Sequence, residues 1–216
     1  MMIREKFRGI GLALIVLAAV PLAAALASRP AFAQEAPDAV VKRVSGEVLQ
    51  LIRTDPKLQA GDPQRIREMV ETKLLPNFDF ERMTALAMGR NWQKATSEQQ
   101  KILVDQFRTL LVRTYSGALS QYRDQQMEYK PLRAEPAATD LTVRTEVIRS
   151  GQNPVQIDYG LTKTPTGWKA YDVIVGGVSL VTNYRDEFNE QIKNGGVDGL
   201  IKTLTDKNNR GAAGKS

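Results

Sequence analysis

The feature that most constrains this chain is a change of period. Up to Leu119 the apolar residues recur at three- and four-residue spacing, and from Gln125 they alternate in twos. Parallel strands need a helical crossover between each pair, and no helix-length segment interrupts the alternating region. The pattern therefore predicts helices first, then an antiparallel meander, then helices, an α+β chain.

The helical part starts at Ala36-Pro37-Asp38, with Val40, Val41, Val44, Val48, Leu51 and Ile52 on one face. Asp62-Pro63 reads as an N-cap followed by proline in the first turn. It opens a helix carrying Ile66, Met69, Val70, Leu74 and Leu75, which Pro76 ends. A shorter helix is expected from Phe78 to Met88, stopped at Gly89. The longest starts at Ser97, with Gln100 completing a capping box, and carries Leu103, Phe107, Leu110, Leu111 and Tyr115 on its apolar face.

Four strands are predicted: Gln126–Lys130, Leu141–Arg149, Val155–Leu161 and Trp168–Val175, joined by turn sequences such as Ser150-Gly151-Gln152-Asn153. After Gly176-Gly177, helical spacing resumes over Ser179–Lys193, ends at Gly195-Gly196 and returns in Val197–Leu204. Residues 206–216 are polar and glycine-rich and are expected to form a flexible tail. The domain itself is expected to span 34–205.

Residues 1–33 read as a cleaved secretory signal. They are cationic at the start and apolar from Ile10 to Ala27, and they end in Ala31-Phe32-Ala33, a small-residue cleavage site. The expected product begins at Gln34 and is exported. With no cysteine in the chain, it has neither a disulfide framework nor an attachment point for a lipid anchor, so a hydrophobic core must stabilise it.

Histidine is absent as well. That excludes Ser-His-Asp and Cys-His nucleophilic systems and zinc sites built on imidazole or thiolate. The carboxylate pairs Asp79/Glu81 and Asp186/Glu187 fit solvated helix positions better than an acid–base pair. The terminal GAAGKS is no phosphate loop, because Asn209 stands where that motif needs glycine. Net charge is +6; Arg4, Lys6, Arg8 and Arg29 against Glu5 account for half, leaving +3 after the signal. That is too small and dispersed for a nucleic-acid track. Phe107, Leu110, Leu111 and Tyr115 suit a filled core or the wall of a cavity equally, since both need the same residue types.

Several blocks carry a resemblance. They are GWKAYDVIV and GVSLVTNYR at 167–185, GVDGLI at 196–201, LLPNFDF at 74–80, GRNW at 89–92 and FRTLLVRTY at 107–115. In this order, over roughly Ala36 to Leu204, they resemble the toluene-tolerance (MlaC) family of periplasmic phospholipid-binding proteins of the Mla pathway. That family maintains lipid asymmetry in the Gram-negative outer membrane. One departure is Gly176, at a position more often acidic in the family.

The resemblance implies an α+β fold, related to the NTF2-like cone, with helices packed around an antiparallel sheet of about four strands and a deep apolar lipid pocket. It implies a carrier and not an enzyme, with no cofactor beyond a bound phospholipid as cargo. The implied partners are an outer-membrane lipoprotein–porin complex and the MCE-domain subunit of an inner-membrane ABC transporter. Burial must be deep: at about 0.8 kcal/mol per methylene, two acyl chains of roughly 30 methylenes would cost on the order of 24 kcal/mol if exposed.

On that reading Trp168–Val175 and Val178–Tyr184 form two pocket walls, with Gly176 and Gly177 turning the chain between them. The expected lipid-binding residues are Val178, Leu180 and Val181 after the glycines, and Val147, Ile157, Tyr159 and Ile174 from the sheet. Leu86, Phe107, Leu111 and Tyr115 join them from the helices. Three alternatives remain: a carrier of another amphiphile, such as a lipoprotein; an exported enzyme using Asp158 or Asp172 beside Tyr159 or Tyr171; and a protein-only adaptor without a cavity.

Overall fold

The computed structural model describes residues 34–119, 125–133, 135, 137–149 and 151–213. The expected signal segment lies outside them. Helix α1 spans Pro37–Thr54 and short α2 spans Pro56–Gln59, capped by Asp55, which accepts from the Lys57 amide at 2.9 Å. Asp62 caps α3 (Pro63–Met69), accepting from the Arg65 amide at 2.8 Å. The chain then widens into a π-helical turn at Val70–Leu74 and tightens into a 3-10 turn at Leu75–Asn77, where Pro76 ends the run.

Asp79 caps α4 (Phe80–Met88), and Gly89 leaves it at a φ of 55°. A 3-10 segment, Gly89–Lys94, leads to α5 (Ser97–Leu119). The capping box of α5 lies one residue earlier than expected. Gln99 N–H donates to Thr96 Oγ1 at 3.2 Å and Thr96 N–H donates to Gln99 Oε1 at 2.9 Å, while Gln100 instead donates to the Trp92 carbonyl at 2.9 Å.

The sheet is a meander in sequence order: β1 (Gln126–Tyr129), β2 (Asp140–Ile148), β3 (Val155–Thr164), β4 (Gly167–Val175) and β5 (Val178–Ser179), antiparallel throughout. The fifth strand replaces the first part of the helix expected at Ser179. Gly176 and Gly177 have φ of 57° and 85°, the two positive values of a type I′ turn, so Val178 folds back opposite Val175. The helix, α6 (Arg185–Ala213), begins only after a 3-10 turn at Thr182–Tyr184 and is broken at Gly196, where φ is 67°.

Two departures from simple alternation matter for the site. Between β3 and β4 the pairing passes from Gly160↔Asp172 to Leu161↔Ala170, which leaves Tyr171 as a bulge. The Tyr171 ring fills the space beside Gly160, where a Cβ would meet it at 3.1 Å, and the Arg82 guanidinium lies 4.0 Å from its centroid. Past the bulge, Val173 and Val175 take the face that Trp168 and Ala170 hold before it.

The second departure is the polar end. A tail from Asp206 was expected, but α6 continues to Ala213. The i, i+4 line of Leu200 and Leu204 runs on through Asn208, which is 6% exposed. Asn208 donates to the carbonyl and Oε1 of Gln106 on α5 at 3.0 and 2.8 Å, so a hydrogen-bonding residue holds the position an apolar one would occupy.

A domain of this size normally closes around one contiguous core. This one has three. The first joins α4, α5 and α6 through Met83, Leu103, Phe107, Phe188, Leu200 and Leu204. The second sets Val40 and Val41 of α1 on Val143, Leu161, Trp168 and Ala170 of the sheet. The third collects Val48, Ile52, Leu58, Ile66, Met69 and Val70.

Candidate functional site

The space between these three cores is not filled by protein. A cavity of about 450 Å³ lies there, within the range of small-molecule sites. Each core supplies part of its wall: Met83 and Leu111 from the first, Val40, Val41, Leu161 and Ala170 from the second, Val48, Ile52 and Val70 from the third.

Helix α1 lays one stripe, Val40, Val44, Val48 and Ile52, along the cavity. The π-helical turn and the residues after it bring Val70, Leu74, Leu75 and Phe78 to its side. The second half of α5 adds Val112, Tyr115, Ser116, Ala118 and Leu119, and the sheet closes it with Met127, Ile157, Tyr159, Val173 and Val175.

The lining is nearly all hydrocarbon. None of the described lining residues is charged, and among them the polar groups are Ser45, Asn77, Tyr115, Ser116 and Tyr159. The Tyr115 hydroxyl meets Tyr184, whose own phenol is pushed up to about 12, chiefly by burial and then by Tyr115. Every Å² of such a wall that a guest takes out of water is worth about 25 cal/mol. A partly open cavity with this lining therefore suits an apolar guest.

Of the residues singled out from sequence, Leu111, Tyr115, Ile157, Tyr159 and Leu180 border the cavity. The others do not, each for a local reason. Phe107 is fully buried between α5 and α6, with Tyr184 and Phe188 at 5.1 Å edge to face. Leu86 packs on that same core, and its carbonyl accepts from Arg185 at 3.0 and 3.2 Å. Val181 is 1% exposed in the same core, held by its amide to Asp172 Oδ1 at 3.2 Å.

Val147 is on the cavity face of β2 but buried between its register partners Met127 and Val155. The Tyr171 bulge turns Ile174 to the opposite face, and its place is taken by Val173 and Val175. Val178 is 58% exposed, beyond the wall at the sheet end. The second wall expected from Val178–Tyr184 is therefore α1, and that segment contributes Leu180 alone.

The signal for Val173 and Val175 was Gly160, since a lone glycine within a strand often marks a bulge. No comparable signal separated α1 from an ordinary core helix.

The carboxylates that an enzyme would need are elsewhere. Asp158 accepts from Gln156 Nε2 at 2.7 Å on the far face of the sheet. Asp172 accepts from Ser179 Oγ at 2.6 Å and from the amides of Val173 and Val181. It ties the chain after the glycine turn to β4, which is structural work. Among the described residues no group of carboxylates could hold a metal ion, and no helix is long and apolar enough to cross a membrane.

The chain is similar to the intermembrane phospholipid transport system binding protein MlaC of Haemophilus influenzae, 24% identical over 186 residues, which covers 85% of this chain and 87% of that one. It is likewise similar to the toluene tolerance protein ttg2D of Pseudomonas putida, 26% identical over 192 residues, covering 88% of this chain and 85% of that one. A solved structure of a phospholipid-binding protein from Ralstonia solanacearum, in complex with a phospholipid, is 43% identical with a TM-score of 0.75. It covers 81% of this chain and 98% of that one. The profile of the MlaC protein family matches residues 42–206, and with that coverage the chain belongs to the MlaC family.

Proposed function

We propose that this protein is a periplasmic phospholipid carrier. It holds the acyl chains of one lipid in the cavity between its three cores and exposes the headgroup at the mouth. It shuttles lipid between an outer-membrane lipoprotein–porin complex and the MCE-domain subunit of an inner-membrane ABC transporter, performs no chemistry on the lipid and needs no cofactor. The observation that carries this reading is a cavity of about 450 Å³ whose lining, among the described residues, has no charged side chain. The phospholipid bound by the Ralstonia solanacearum relative supports the choice of cargo, and the name of the Haemophilus influenzae relative supports the pathway.

The lining explains the division of labour. Aliphatic walls bind methylenes at about 0.8 kcal/mol each whatever the headgroup. The described lining has no charged side chain to pair with a phosphate, so its grip is on the acyl chains. Native mass spectrometry of residues 34–216, purified without detergent, tests the proposal. A bound mass equal to a diacyl phospholipid is expected. A different amphiphile in the cavity would replace the cargo, and an empty protein that takes up no lipid from phosphatidylethanolamine vesicles would overturn the carrier reading.

A further inference from the structure

The cavity has a direction. At one end Val175, 39% exposed, and the exposed Ala118 stand at its mouth. Along β4 the wall becomes progressively buried, from Val175 through the half-buried Val173 to Ala170, 6% exposed, and across from Ala170 on β3 Leu161 is 2% exposed. Ile157 to Leu161 is four residues of strand, about 13 Å of depth. The inner end lies where β4 meets the start of α4.

Ala170 is anomalous at that end. Among the described residues that are both buried and part of the lining, it alone is smaller than valine. Its backbone is pinned on both sides. Leu161 is its register partner across β3, and on the other side it forms a parallel bridge with Phe78, its carbonyl accepting from the Asp79 amide at 2.8 Å. Trp168, two residues back on the same face and 9% exposed, closes the core behind it without bordering the cavity. A larger side chain at 170 could not be absorbed by a backbone shift. Its atoms would occupy the inner end of the cavity.

Resting on the phospholipid reading, we infer that Ala170 sets the length of acyl chain the protein accepts. The end of a lipid tail reaches the recess that alanine leaves beside Leu161, and the size of residue 170 determines how many methylenes fit. Each methylene denied burial lowers affinity about fourfold. Ala170→Leu adds three carbons and removes room for about three methylenes, so long-chain lipid loses roughly 60-fold against a chain short enough to fit.

The test is a competition. Delipidated protein is loaded from vesicles of short-, medium- and long-chain phosphatidylglycerol in equal parts, and the bound species are read by mass spectrometry for wild type, Ala170→Val and Ala170→Leu. The expected result is a graded shift toward shorter chains, with total lipid per protein unchanged. Ala170→Val, the smaller step, serves if Ala170→Leu does not fold. An unchanged chain-length distribution in a folded variant overturns the inference. A wild-type protein that loads none of the three lipids overturns the phospholipid reading instead, so the two failures are distinct.

Discussion

The two halves of α5 have the same sequence pattern and opposite surroundings. In the first half Leu103 and Phe107 are fully buried against α6, where Phe188 fits edge to face. In the second half Val112, Tyr115 and Leu119 look into a cavity, and Leu111, at the boundary, belongs to both. Nothing in the spacing changes between them. What changes is the element opposite: α6 packs directly onto the first half, whereas the second half rests on the third core through Val112 and Leu119 and faces α1 and the sheet across the cavity. An amphipathic stripe specifies that a face will be dry and leaves open what dries it.

The comparison can be broken at its filled end. Phe107→Ala removes a fully buried ring from a site walled by Tyr184 and Phe188. It should cost about 3–5 kcal/mol, measured by urea denaturation, and leave the kind of lipid bound unchanged. A cost near 1 kcal/mol would mean that the first half is as loosely filled as the second. At the other end the cargo itself is the missing core. Stripping lipid should lower stability by about 2.7 kcal/mol relative to protein held at lipid concentrations 100 times its dissociation constant, read as a fall in Tm. No change in Tm on delipidation would make the cavity wall self-sufficient.

The same contrast shows where the sequence was legible. Helix order, the antiparallel meander and the glycine turn follow from local rules that act within a few residues, such as the positive φ at Gly176 and Gly177. Which side of β4 faces inward did not follow, because one bulged residue, Tyr171, reverses every position after it. Ile174 was thus assigned to a wall that Val173 and Val175 form. The end of α6 failed for a different reason. Asn208 is buried through two hydrogen bonds to Gln106, and a tertiary partner 102 residues away leaves no mark on local periodicity. The cavity, which the resemblance implied, was not legible in the pattern itself: walls and cores use the same valines and leucines, so only the relative placement of α1, α5 and the sheet reveals it.

A gentler substitution sharpens the contrast. Leu119→Ala removes the same kind of side chain that costs 2–5 kcal/mol in a packed core. Here the vacated space joins an existing cavity, into which a flexible acyl chain can move. The cost in lipid-loaded protein should be about 1 kcal/mol, measured by the same denaturation. A loss equal to that of Phe107→Ala would show that the second half of α5 is ordinary core.

The smallest effect concerns the boundary between the two halves. Tyr184 stands between them, with Phe107 at 5.1 Å on the core side and the cavity-lining Tyr115 on the other. Its phenol is raised from 10.0 to about 12, mainly by burial. The folded protein therefore holds this proton more tightly than the unfolded chain does. The associated stability is complete below pH 10 and is lost as pH rises from 10 through 12. Two pH units correspond to about 2.7 kcal/mol, but the side chain is half-buried, and screening by water brings the contribution to about 1 kcal/mol or less. Tyr184→Phe should remove that part of the alkaline loss, measured as the difference between the two proteins' denaturation midpoints at neutral pH and near pH 11. Lipid in the cavity excludes water from the Tyr115 side, so the difference should be larger for loaded than for stripped protein. Equal differences in the two states would mean that the core side alone buries Tyr184, and that the boundary between packed helix and cavity lies on the far side of Tyr115.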